Sequence, residues 1–187
     1  MLPALLGGLF VWMVLRRRQS PAPGIDSVLP MTLELGGLRL TLLQRHAPAA
    51  SNAWCRNALM ADAHCIAEQR ELRAKGALLS AVDLQAWHGK LPAFLAGERT
   101  ELHLCADGDC VGLYLQRPLR DDMTAVTVVL LDPQIFAAAE RQADECRTRN
   151  SALFLVTHGQ LTRFGEELEQ AMRGFPVYLG HTARQTA

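Results

Sequence analysis

The chain lacks the short motifs by which several large enzyme classes are identified. It contains no Walker phosphate loop, no GxGxxG dinucleotide fingerprint and no GxSxG nucleophile elbow. It also shows no internal sequence repeat and no low-complexity tract. The formal net charge is zero, which gives no overall attraction to nucleic acid. The sequence therefore names no reaction, and we predict no cofactor.

Lysine is scarce, and cysteine is present in an odd number. Lys75 and Lys90 are the only lysines, against 17 arginines. Five cysteines in 187 residues do not suggest a disulfide scaffold. Cys105 and Cys110 are the exception, because they flank an Asp-Gly turn that would place them opposite each other on a hairpin. We predict a candidate redox pair there, bridged in an oxidising compartment and reduced in the cytoplasm.

The N-terminal residues are apolar and are followed by a block of positive charge. Residues 2–15 carry no charged side chain, and Arg16-Arg17-Arg18 follow at once. As a helix these 14 residues would cover about 21 Å, a short membrane span. We predict a transmembrane anchor at 1–18, with the N-terminus outside and the bulk of the chain in the cytoplasm, at the inner membrane. A cleaved signal peptide and an amphipathic soluble start are the alternatives.

Residues 19–30 contain three of the prolines and predict a linker, and residues 31–187 follow as one domain. Apolar strands that alternate with amphipathic helices are typical of parallel pairing. We predict an α/β fold: a mixed sheet in which a β-hairpin is followed by parallel β-α-β-α-β, with helices on both faces, plus one N-terminal transmembrane helix. The hairpin at 31–43 either joins this sheet or forms a separate docking element. The other predicted elements are helices at 52–74 and 80–92, a hairpin at 100–116, a strand at 125–131, a helix beginning at Asp132-Pro133, a strand at 152–157, a helix from Thr162 to Gly174, and a strand at 175–179.

One known family shares part of this pattern. Residues 107–115, Asp-Gly-Asp-Cys-Val-Gly-Leu-Tyr-Leu, are similar to the second strand of Mrr-type restriction-endonuclease-like domains, and residues 152–162 with the following helix and 176–180 resemble their final strand–helix–strand. The resemblance covers roughly residues 78–180 and implies a nuclease-like fold, in a family where several proteins carry a short N-terminal membrane helix. Those nucleases hold a divalent metal with an acidic residue on one strand and a Glu/Gln-x-Lys on the next. Here the acidic position is Gly112, and Gln116-Arg117-Pro118 holds no lysine. The resemblance thus implies a domain without the catalytic motif.

Three further groups of residues are candidate sites. Asp107 and Asp109 predict a Mg²⁺ site with Asp121 and Asp122 nearby in sequence, and turn chemistry is the alternative interpretation. Side chains at the carboxyl ends of two predicted parallel strands are candidate ligand contacts, because open α/β sheets bind ligands there. Simple helix caps are the alternative for these residues, which are Asp132, Thr157 and His158. A zinc site is also conceivable on the predicted hairpin face, with ordinary sheet residues as the alternative; its members are His103, Cys105 and Cys110.

These features together predict a non-catalytic membrane protein whose cytoplasmic domain is a subunit or scaffold of a membrane-associated complex. Its predicted partners are membrane lipid and other proteins of that complex, while charge gives no support for nucleic acid. The first alternative is a divergent, metal-dependent nuclease that uses the Asp107/Asp109 region and an arginine. The second is an anchored periplasmic domain with Cys105 and Cys110 oxidised.

Overall fold

The computed structural model describes residues 29–68, 70–117, 123–133 and 150–178. These residues form two four-stranded sheets and three helices. Strands β1–β4 make sheet one and strands β5–β8 make sheet two, each in sequential order with antiparallel neighbours. The elements are β1 (Met31–Leu35), β2 (Leu38–Arg45), α1 (Ala53–Asn57), β3 (Ala58–Ala67), β4 (Arg70–Ser80), α2 (Ala81–Leu95), β5 (Glu101–Cys105), β6 (Val111–Gln116), β7 (Met123–Leu130), β8 (Ser151–Thr157) and α3 (His158–Gly174).

The two halves of the described chain repeat one arrangement. In each half a four-strand meander leads directly into a helix, and the last residue of the fourth strand is the helix N-cap. Ser80 and Asp83 form the capping box that begins α2, and Thr157 and Gln160 form the one that begins α3. The repeat is architectural, since the sequences of the two halves share no detectable pattern.

The two long helices, α2 and α3, each cover the first strand of the sheet in the other half. Helix α3 contacts β1, where the Glu34 backbone N–H donates to Oε2 of Glu167 at 2.6 Å. Helix α2 contacts β5, where Nε1 of Trp87 donates to the Cys105 carbonyl at 3.3 Å. The two helices also pack on each other, and a single apolar core joins them to the inner faces of both sheets. Two of the four outer strands are therefore covered by a helix and bonded to it.

Strand β8 lies against the β1–β2 turn of sheet one. A Cβ at Gly36 would lie 2.5 Å from Cε2 of Phe154, and one at Gly37 would lie 2.0 Å from the Ile66 carbonyl oxygen. Gly36 also has φ +55°, a left-handed conformation that glycine adopts without cost. The Gly-Gly turn between β1 and β2 is thus required by close packing as well as by turn geometry. The hairpin at 31–43 joins β3 and β4 in sheet one and is not a separate element.

The predicted fold class is wrong. Every strand pair in the described residues is antiparallel, and the predicted parallel unit is absent. The error arose between β7 and β8, which pair directly but are separated by 20 residues that include an amphipathic stretch. A long connection of that kind is typical of a parallel crossover, whereas antiparallel neighbours need only a short turn. Residues 134–149, where a helix was predicted, lie outside the described residues.

The predicted helix at 52–74 is also wrong. Only Ala53–Asn57 is helical there, and β3 and β4 follow. Burial in β3 alternates from residue to residue, with Ala61, Ala63 and Cys65 inside the core. Alanine favours helices in isolation, but its propensity is a weak prior that tertiary packing overrides.

The predictions for the two chain ends were a membrane helix at the N-terminus and a strand at 175–179. The fold prediction included a membrane-spanning helix, and none of the helices in the described ranges is long and apolar enough to cross a bilayer. The structure thus gives the membrane assignment no support; residues 1–28, on which it was based, lie outside the description. Residues 175–178 are not a strand. They are held instead by Asn57, whose side chain accepts from the Tyr178 N–H at 2.8 Å and donates to the Tyr178 carbonyl at 3.2 Å.

Candidate functional site

The turn between β5 and β6 holds the candidate metal residues, and hydrogen bonds connect it to α1 and α2. Oδ2 of Asp107 accepts from Nε1 of Trp54 at 3.2 Å, and the Asp107 N–H donates to Oδ1 of Asp83 at 3.0 Å. Asp109 has φ +57°, and its N–H closes the turn by donating to the Ala106 carbonyl. No group of three or more His, Cys, Asp or Glu side chains in the described residues could hold a metal ion. The two aspartates therefore have visible structural roles, and the metal site stays a prediction.

The two candidate redox cysteines do not lie opposite each other. Cys105 pairs with Gly112, because the turn begins at Ala106 and returns at Val111. Cys110 lies inside this turn and is buried, and both thiols are free. Burial, with Asp109 and Asp132 nearby, raises the pKa of the Cys110 thiol. A raised pKa lowers the thiolate fraction, so Cys110 is poorly suited to disulfide exchange.

The three candidate ligand residues are separated by the antiparallel pairing. Thr157 at the end of β8 pairs with Met123 at the start of β7, whereas Asp132 follows the far end of β7. The seven residues from Met123 to Val129 alone span about 20 Å, which puts Asp132 at the opposite end of the sheet. Thr157 is the N-cap of α3, and the His158 carbonyl accepts from Oγ1 of Thr162 inside that helix. The structure does not bring these residues into one site.

Arg117, which lies in the segment compared with the nuclease motif in the sequence analysis, caps a helix. Its guanidinium donates to the carbonyls of Phe94 at 2.6 Å and Leu95 at 3.1 Å, at the C-terminus of α2. It also lies 5.0 Å from the centre of the Phe94 ring, which adds a cation–π contact. The neighbouring Gln116 side chain donates to Glu101. Arg117 is thus bound to backbone carbonyls at the end of α2.

The outer face of sheet one is covered with charge. Ion pairs link Arg39 to Glu34 at 3.0 Å and Arg73 to Glu71 at 2.6 Å, and a hydrogen bond of 2.8 Å joins His64 to Glu71. Hydrogen bonds from Arg73 and His64 hold the pKa of the Glu71 carboxyl below its usual value. Charged, exposed side chains on both strands of the β3–β4 hairpin are typical of a solvated surface.

The outer face of sheet two is different, and sequence analysis did not single it out. Its side chains are mostly uncharged, and in the described residues Glu101 is its one carboxylate. On β8, Leu153 and Leu155 are 58% and 56% exposed. Residues 152–156 are all apolar, so the sequence shows no alternation there, and residues 152–157 were predicted to form a continuous apolar strand. Large exposed apolar side chains next to each other on a strand indicate an interaction surface.

Two depressions lie in the described surface, one beside β8 and one between α2 and α3. A crevice of about 340 Å³ borders β8 and is lined by residues that include Glu68, Arg70, Thr127 and Leu153. Arg70 spans it, since its Nη1 donates to the Ser151 carbonyl at 3.0 Å. A groove of about 220 Å³ between α2 and α3 is lined by His88, Leu95 and Glu166, among others.

Comparison with known proteins supplies no relative: no family model, no curated protein and no solved structure matches this chain, and the resemblance to Mrr-type domains stays a prediction.

Proposed function

We propose that the chain is a non-catalytic subunit that joins a protein assembly by adding a strand to β8. This keeps the predicted role as a subunit or scaffold and assigns the contact to one strand. The proposal does not depend on the N-terminal anchor, and the inner-membrane location stays a separate prediction from the sequence.

The bonding of the candidate site residues supports a role without catalysis. The Asp107 side chain connects the β5–β6 turn to Trp54, that of Thr157 begins α3, and that of Arg117 ends α2. A catalytic group needs access to substrate and a partner that shifts its protonation or nucleophilicity. The bonds made by these three side chains serve the fold instead.

The edge of β8 from Ala152 to Thr157 is the observation that carries the proposal, since at its first residue the Ser151 carbonyl already accepts from Nη1 of Arg70. Within the described ranges β8 pairs only with β7, in an unbroken register from Met123↔Thr157 to Val129↔Ser151. It contains no proline, glycine, bulge or charged residue, which are the features that normally protect an edge strand. An extended segment can add to such an edge through backbone hydrogen bonds, with alternate side chains giving specificity.

Lysine substitutions on β8 test the proposal. Leu153→Lys and Leu155→Lys place a charge on the exposed face without entering the core, because both side chains are already more than half exposed. Val82→Lys is the matched control, since Val82 is a 48% exposed apolar residue on α2. The wild-type protein and each variant are purified natively, and the stoichiometric partners, including further copies of the chain, are identified by mass spectrometry.

We expect the partner to be lost from both β8 variants and retained by Val82→Lys. Retention of every partner by both β8 variants would show that β8 is not the contact. Plasmid DNA with Mg²⁺ or Mn²⁺ serves as the catalytic control, and we expect no cleavage. Cleavage that disappears in Asp109→Ala would replace this proposal with the nuclease alternative.

A further inference from the structure

We propose that the groove between α2 and α3 binds an amphipathic helix of a partner protein. Leucine-like side chains of that helix would enter the groove, and its arginine or lysine side chains would lie beside Glu166. This contact is separate from β8 and goes beyond the proposed function, so that either one can fail without the other.

The groove is formed by one stripe of residues from each helix. Helix α2 lines it along residues 88–95 and α3 along residues 162–169, in both cases at the spacing i, i+3, i+4 and i+7. Each stripe therefore occupies a single helix face over about 10 Å. Leu91 is 1% exposed at this contact, and a Cβ at Gly165 would lie 3.1 Å from its Cδ2. The absence of a side chain at Gly165 thus keeps the groove open.

The two walls of the groove differ in charge. Pro92 and Leu95 give the α2 wall an apolar surface, whereas Glu166 and Glu169 make the α3 wall acidic. No arginine or lysine is among the described residues that line it. Glu169 is ion-paired with Arg173, but Glu166 makes no hydrogen bond or ion pair with the described residues. A partner with an apolar face and a basic flank would complement both walls.

A helix fits this groove better than the other ligands that proteins bind in clefts. The volume of about 220 Å³ lies below the roughly 300–1,000 Å³ of small-molecule pockets. An extended peptide needs a free sheet edge, and a polyproline peptide needs a groove lined with aromatic side chains. This groove has two helices as its walls, and no Phe, Tyr or Trp is among its described lining residues. An amphipathic helix needs only an apolar groove for side chains at i, i+3 or i+4, and i+7.

Gly89, beside the groove, favours the close approach of such a helix. It follows the lining residue His88 and lies one turn before Pro92, on the exposed side of α2. Glycine inside a helix is destabilising relative to alanine. A Cβ at Gly89 would have no atom within 4 Å, so no contact in the described structure requires glycine there. The absent side chain leaves room for the backbone of a partner helix.

Binding of a synthetic peptide to the full chain, measured by fluorescence anisotropy, tests the inference. The arginine peptide is a labelled helix of about 20 residues, long enough to be helical in water, with leucines on one face and arginines along one side of that face. The glutamate peptide carries glutamates in place of the arginines.

We expect wild type to bind the arginine peptide about tenfold or more tightly than the glutamate peptide, because the acidic wall attracts one flank and repels the other. Glu166→Lys should reverse this preference. Glu101→Lys is the matched control, since it makes the same change at an exposed position on the outer face of sheet two, and it should bind as wild type does. Gly89→Gln should weaken binding of the arginine peptide, because its side chain occupies the space for the partner backbone.

Three results would overturn the inference: no binding of the arginine peptide by wild type, equal affinity of wild type for the two peptides, or a Glu166→Lys variant that keeps the preference of wild type. A dimer of the chain in sedimentation equilibrium that Glu166→Lys dissociates would assign the groove to a second copy and would overturn it as well. Leu153→Lys separates this contact from the proposed function, since we expect that variant to lose its strand partner and to bind the arginine peptide as wild type does.

Discussion

Asp83 connects the two halves of the structure, and its removal should cost more than that of any exposed carboxylate. The side chain is 7% exposed. Its Oδ2 accepts from the Ser80 N–H at 2.7 Å and from Oγ of Ser80 at 2.8 Å, and its Oδ1 accepts from the Asp107 N–H at 3.0 Å. One carboxylate thus begins α2 and holds the β5–β6 turn of the other sheet.

The magnitude for Asp83→Ala follows from these bonds. Loss of a capping side chain costs typically about 1 kcal/mol. A part-buried N–H left without its acceptor, here that of Asp107, costs about 1–3 kcal/mol. We expect the free energy of unfolding to fall by roughly 2–4 kcal/mol, and by about half of that in Asp83→Asn, which keeps one acceptor oxygen.

Urea unfolding monitored by tryptophan fluorescence measures this effect. Asp62→Ala is the control, because Asp62 is an exposed carboxylate whose ion pair with Lys75 is 3.8 Å long, and such pairs contribute about 1 kcal/mol or less. A midpoint shift for Asp83→Ala no larger than that for Asp62→Ala, with an unchanged denaturant slope, would refute the assigned role of Asp83.

Two further predictions concern stability. Arg117→Ala removes the cap of α2 and should lower the free energy of unfolding by about 1–3 kcal/mol. Arg117→Lys keeps the positive charge and should lose less. If thermal unfolding shows that the two variants lose equal stability, the charge of Arg117 does not contribute to the cap. Burial raises the pKa of the Cys65 thiol to about 11 from its usual 9.0. The unfolded chain therefore loses this proton first, so stability that is fully present below pH 9 is lost as pH rises toward 11. The Cys65→Ala variant should lose up to about 2 kcal/mol less stability than wild type between pH 9 and 11. Equal losses in wild type and Cys65→Ala over this range would disprove the prediction.

The turns and caps were the most predictable part of the fold, because they depend on a few neighbouring residues. Gly36-Gly37 marks the β1–β2 turn, the Ser80–Asp83 capping box begins α2, and α3 ends at Gly174. The start of α3 was placed at Thr162 although the N-cap is Thr157, because Thr157 was interpreted as the end of a parallel strand. Local chemistry was visible in the sequence, and the direction of strand pairing was not.

The candidate site was harder to predict, because it depends on register and on which strands are neighbours. A shift of two residues in the β5–β6 hairpin separates Cys105 from Cys110, and no local pattern specifies that shift. In the same way, antiparallel pairing of β7 with β8 separates Asp132 from Thr157, although both follow apolar strands. The exposure of Leu153 and Leu155 could not be inferred from the sequence, because residues 152–156 are continuously apolar and show no alternation.

The difference between the two halves is more informative about function than what they share. Each half contributes inward-facing leucines, a capping box and a long helix, because both halves build one core. Their outer faces are under no such requirement. Sheet one has a charged, ion-paired outer face, and sheet two exposes Leu153 and Leu155 on a strand without protecting features. Ile66 on sheet one is 57% exposed, so the difference between the halves lies in the charge on β4 and its absence on β8, and an uncharged edge with exposed apolar side chains favours association. This difference in charge is the feature that supports the proposed strand partner at β8.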